Sequence, residues 1–164
     1  MKKVFHNLTK VFSNIVIILL VFVLAFAVYN FVNVKLLKKD YSNLFGYTYF
    51  DIVTGSMVDA IHIDDYVFVK LTKNVSENDV ISFKSNGIVV THRIIKIDND
   101  KIITKGDANN VIDKAITIDN VIGKVVYIGK GYGTILKTLS TPIVFITLFA
   151  TILLFSYYFS LNKE

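Results

Sequence analysis

The stretch DVISFKSNGIVVTHRIIKI, Asp79 to Ile97, decides the fold of the middle of this chain. Asp79 to Lys84 and Ile88 to Ile97 are β-branched runs. Asn86-Gly87 between them is a strong hairpin signal, because both residues tolerate the positive φ of a two-residue turn. Working outward, Asn99-Asp100 makes a second turn before Lys101 to Thr104, and Val121 to Ile128 reads as another strand. Upstream, Tyr66 to Leu71 follows the turn-like Asp64-Asp65. Short strands, tight turns and no helical periodicity predict a mainly β domain over residues 40–137, a small sheet or a partly open barrel. Tyr41, Phe45, Tyr47, Tyr49 and Phe50 crowd its start. Such aromatics sit either at lipid-headgroup depth or in a core, and both readings stand at this point.

The β-rich region is flanked by two greasy segments. Residues 15–34 are interrupted only by Tyr29, Asn30 and Asn33, and residues 142–161 carry no charge. Twenty helical residues cover about 30 Å, the hydrocarbon thickness of a bilayer. A helix also satisfies every backbone group within the segment. Two transmembrane α-helices are therefore expected, with residues 1–14 as an N-terminal tail and Pro142 in the first turn of the second helix. The first segment has a rival reading as a signal peptide, with Lys2, Lys3 and Lys10 ahead of it and Ala25-Phe26-Ala27 as a cleavage site. Apolar residues continue past Ala27 to Val34 with no polar region, which favours a retained anchor. Lysines on both sides of the first segment leave its orientation undecided.

Composition closes off other classes. The chain has no cysteine, so disulfide scaffolds, zinc knuckles and thiol nucleophiles are excluded. No metal or organic cofactor is called for. The net charge of +5 does not mark a nucleic-acid binder. Residues 40–137 hold 11 basic and 12 acidic side chains, and the basic excess lies beside the apolar segments. One arginine, Arg93, against 17 lysines hints at an AT-rich genome and hence a bacterium.

Three polar sites break the β pattern. Thr54-Gly55-Ser56-Met57 places a serine just before the strands. His92 shares a strand face with Val90 and Ile94. Lys105-Gly106-Asp107-Ala108-Asn109-Asn110 ends a strand in a polar turn, with Asp113 following. Each alone reads as ordinary turn or core chemistry. Together they supply a hydroxyl nucleophile, an imidazole base and an acid to orient that base. A serine hydroxyl is a weak nucleophile near neutral pH and needs such a base to take its proton. On the residues alone, the acid is either Asp107 or Asp113.

These boxes resemble type I signal peptidases, in the Ser-His branch shared by the endoplasmic-reticulum enzyme, archaea and SipW-like bacterial enzymes. The resemblance covers roughly residues 10–130. It implies that Ser56 is the nucleophile, His92 the general base and Asp113 the acid that completes the site. Asp107 is implied to be a second important acid, structural or in the hydrogen-bond network. Thr54 matches an oxyanion-binding hydroxyl, with the backbone N–H of Ser56 as the other donor. The family box continues Met-Glu-Pro after the serine, whereas this chain reads Met57-Val58-Asp59. His62 matches no motif.

The expectation is an integral membrane serine endopeptidase that removes signal peptides from exported preproteins at a bacterial plasma membrane, with its β-domain extracytoplasmic. Its partners would be secreted preproteins, the lipid bilayer and the translocation machinery, and no nucleic acid. The competing reading is a non-catalytic, membrane-anchored β-domain that scaffolds a secretion system, and the missing proline is its best support.

Overall fold

The computed structural model describes residues 2–139 and 141–161. Helix α1 spans Lys2–Phe31 and runs into a π-helical turn, Val32–Leu36. Six strands follow: β1 (Tyr47–Asp51), β2 (Tyr66–Lys70), β3 (Val80–Ser85), β4 (Ile88–Asp98), β5 (Lys101–Lys105) and β6 (Val121–Gly129). Helices α2 (Gly133–Leu139) and α3 (Pro142–Leu161) close the chain. Residues 41–135 form one compact unit, and the residues on either side of them form a second.

The strands make one open antiparallel sheet in the order β1-β2-β6-β3-β4-β5. The β3–β4 hairpin turns at Asn86 and Gly87, with φ of 50° and 80°, and pairs Ser85 with Ile88. Glycine and asparagine are the residues that adopt this left-handed backbone at least cost. Asn99, at φ 50°, does the same between β4 and β5. The barrel option is not realised. Strand β1, drawn from the aromatic cluster, pairs with β2 from Tyr47↔Lys70 to Asp51↔Tyr66. Thr48 of this strand is buried, while Tyr47 on the other face is exposed.

Two apolar clusters support the sheet. Ile52, Met57, Ile61, Val67 and Val69 form one; Ile81, Phe83, Ile94, Ile102 and Val121 form the other. The β4–β5 register slips between Ile94 and Lys96, so that Ile94 opposes Thr104 and Lys96 opposes Ile103. Such bulges re-aim side chains close to functional sites.

In the other unit, residues Val11–Leu36 are long and apolar enough to cross a membrane, by length and composition. The Asn33 amide donates to the Tyr29 carbonyl at 2.9 Å and its oxygen accepts from Lys39 Nζ at 2.8 Å, which satisfies polar groups where this helix ends. The expected second span over 142–161 is not supported. The segment is helical over Pro142–Leu161, and among the described residues the apolar helix found there is Ile146–Phe155. Several side chains of that segment, among them residues 142, 145 and 156, lie outside those described.

Candidate active site

Ser56 lies in the loop between β1 and β2, and burial of its neighbours fixes that loop. Met57 and Ile61 are 1% and 0% exposed, so the chain just past the serine is anchored in the first apolar cluster. Backbone bonds from Val58 N–H to Gly55 O, and from Ile61 N–H to Met57 O, hold the turn itself. Ser56 is left half-buried at its rim. Asp59 sits at φ 90°, a value closed to proline, whose ring holds φ near −65°. The turn after Ser56 is therefore one that a proline at position 59 could not adopt, and the buried Met57 and Ile61 anchor it.

His92 is placed by β4. It pairs with Ile81 of β3, is 6% exposed and meets the Phe83 ring edge-on at 6.3 Å. Its Nε2 lies 3.0 Å from Ser56 Oγ, and its Nδ1 lies 2.6 Å from Asp113 Oδ2. A carboxylate can only accept, so Nδ1 carries the proton and donates to Asp113. Nε2 is then free to accept from the Ser56 hydroxyl. The three groups form one directed chain: Ser56 to His92 to Asp113.

The acidic loop closes over the nucleophile. Ala108 N–H donates to the Ser56 carbonyl at 2.9 Å, and Asp107 N–H reaches Met57 Sδ at 3.4 Å. Gly106 permits this approach, because a Cβ there would stand 2.5 Å from Ser56 O. The two candidate acids separate. Asp107 does not meet His92 but takes a two-pronged bond from Arg93, Nε to Oδ1 at 2.9 Å and Nη2 to Oδ2 at 2.7 Å. Arg93 also donates to Asn78 O at 3.0 Å. Its bonds to Asp107 raise the arginine's affinity for its proton, against the opposing effect of burial. The pair thus ties β4 to the loop that covers Ser56.

Thr54 Oγ1 stands 3.3 Å from Ser56 Oγ, within reach of an atom bonded to that oxygen. His62 is not part of the site; its half-exposed ring turns toward Asp65, 3.9 Å away. Among the described residues, no group of three His, Asp or Glu side chains is placed to hold a metal ion.

Sequence reasoning passes over three residues that hold the site. Gly106 is visible in the sequence as part of a turn but not as a close approach. Arg93 reads only as a motif neighbour, although alternation puts it on the face opposite His92. Thr104 reads as a plain strand end. It is fully buried, and its hydroxyl donates to Asp113 Oδ2 at 2.7 Å. No family model matches this chain, and no curated protein matches it significantly.

Proposed function

We propose that this chain is a membrane-anchored serine endopeptidase that cleaves signal peptides from exported preproteins. The observation that carries the reading is the unbroken chain Ser56 Oγ, His92 Nε2, His92 Nδ1 and Asp113 Oδ2, with links of 3.0 and 2.6 Å. A buried histidine bonded to a hydroxyl on one side and a carboxylate on the other is built to move one proton.

The chemistry comes from those contacts. His92 Nε2 takes the Ser56 proton as Oγ adds to a peptide carbonyl carbon. The carbonyl oxygen becomes an oxyanion, within reach of Thr54 Oγ1 and the Ser56 N–H. Asp113 keeps the ring oriented and balances the imidazolium. His92 then passes the proton to the leaving amine as the C–N bond breaks, leaving an acyl ester on Ser56. A water deprotonated by His92 hydrolyses that ester and restores the hydroxyl.

The restriction to signal peptides rests on the motif resemblance and on the apolar helix over Val11–Leu36. Anchoring holds the domain near newly exported chains and raises their effective concentration. With Val11–Leu36 as the anchor, the β-domain would stand on the extracytoplasmic side, beside the translocation machinery. Exposed apolar side chains near the site, Val53, Val111 and Ile112, offer contacts to an extended substrate.

The test is processing of a model preprotein by the full chain in proteoliposomes. Ser56→Ala or His92→Ala is expected to lower cleavage at least about a thousandfold. Near-normal processing by either variant ends the peptidase reading.

A further inference from the structure

We propose that Thr104 is a positioning residue for this site, holding Asp113 by its carboxylate and by its backbone N–H so that Asp113 can in turn hold His92. The inference rests on the peptidase reading above. Asp113 belongs to no strand or helix, so no ladder fixes it. Its side chain is 26% exposed, and a carboxylate in that position would turn outward to water unless bonded. Thr104 supplies the restraint. Its hydroxyl donates to Oδ2 at 2.7 Å, the same oxygen that accepts from His92 Nδ1 at 2.6 Å. Its backbone carbonyl accepts from the Asp113 N–H at 2.9 Å. Close by, Ile102 and Ile116 exchange N–H···O bonds of 2.8 and 2.9 Å, which lay this segment beside β5.

The residue type supports the role. Thr104 opposes Ile94 in the β4–β5 register, and Ile94 and Ile102 belong to the second apolar cluster. An apolar residue would suit that place. A buried hydroxyl there costs stability unless it finds an acceptor, and its acceptor is Asp113. The branched side chain is also stiff about χ1, so strand β5 aims the hydroxyl in one direction.

The experiment compares Thr104→Val, which keeps shape and removes the hydroxyl, with Thr104→Ser, which restores it. The full-length protein is used in proteoliposomes, with Thr104→Ala as a second hydroxyl-free variant should valine disturb folding. The readouts are kcat and KM for a preprotein peptide, and the proton NMR signal of His92 Nδ1–H. Valine is expected to lower kcat by about 10- to 100-fold with KM within about twofold, while serine returns kcat to within about threefold of wild type. The Nδ1–H signal should weaken through solvent exchange with valine and persist with serine. Unchanged kcat and unchanged signal with valine, or serine no better than valine, overturns the proposal. A wild-type protein that shows the protected Nδ1–H but cleaves nothing overturns the peptidase reading instead.

Discussion

Gly106→Ala adds one carbon at the point where the acidic loop meets the nucleophile. The new Cβ would stand 2.5 Å from the Ser56 carbonyl oxygen and 2.7 Å from Asn109 Nδ2. Asn109 is a side chain and can turn away, but the carbonyl is backbone and cannot. An ordinary C···O contact is about 3.3 Å, so loop and nucleophile must part by about 0.8 Å. That separation stretches the Ala108 N–H bond to Ser56 O, 2.9 Å in the native chain, and moves Oγ relative to His92 Nε2. A misplacement of about 1 Å at a reacting centre can cost on the order of a hundredfold in rate. The strain itself costs about 1–3 kcal/mol of stability. The expected outcome is a fall in kcat/KM of about 30- to 100-fold in the proteoliposome assay. The variant should still melt cooperatively, at a lower temperature. Activity within about twofold of wild type would refute the argument that the loop's approach sets the position of Ser56.

The remaining predictions concern the acids. Asp113→Asn should lower kcat by about a thousandfold or more, because an amide no longer fixes the Nδ1–H tautomer; Asp107→Asn should cost about 10- to 100-fold through the loop, and the reverse ranking in steady-state assays would exchange their roles. Asp65 is 4% exposed and accepts from the N–H groups of His62 and Gly131 at 2.8 and 2.9 Å. Burial alone would raise its proton affinity, yet these bonds and the nearby His62 and Lys130 charges hold it below the usual carboxylate range. Asp65→Ala should destabilise the domain by about 2–4 kcal/mol in chemical denaturation, with both N–H groups left unpaired. Asp79, likewise pushed up by burial, is brought below its ordinary value by Lys124, 2.6 Å away, and the Ser76 N–H. A depressed carboxylate stabilises the fold above its unfolded-state value and loses that contribution as the pH falls through the folded one. Asp79→Asn should therefore melt below wild type at neutral pH, and the gap should close as the pH drops from about 4 toward 2.

Much of the sheet was legible from local chemistry. The Asn86-Gly87 turn and the runs on either side of it define β3 and β4, because alternating β-branched residues and a left-handed turn leave few other choices. Strand β1 was not legible, since its residues read equally as membrane-interface aromatics. The strand order was not legible either. Insertion of β6 between β2 and β3 is a long-range pairing that no local pattern encodes. At the site, the residue types were readable, but the residues alone left the acid open; the resemblance is what implied Asp113. Asp107 and Asp113 lie in one polar stretch, and the choice between them depends on how the segment around Ile116 lies against Ile102. Arg93 takes up Asp107 for a reason equally remote from sequence, the closing of the loop over Ser56.

The central claim is that the Ser56 hydroxyl is activated by His92. Its most direct test is covalent labelling with a peptidyl aryl phosphonate ending in alanine, read by intact mass and peptide mapping. The account predicts a single adduct on Ser56 in the wild-type protein, and labelling slowed at least about a thousandfold in His92→Ala. An unlabelled Ser56, or equal labelling rates in the two proteins, would contradict it.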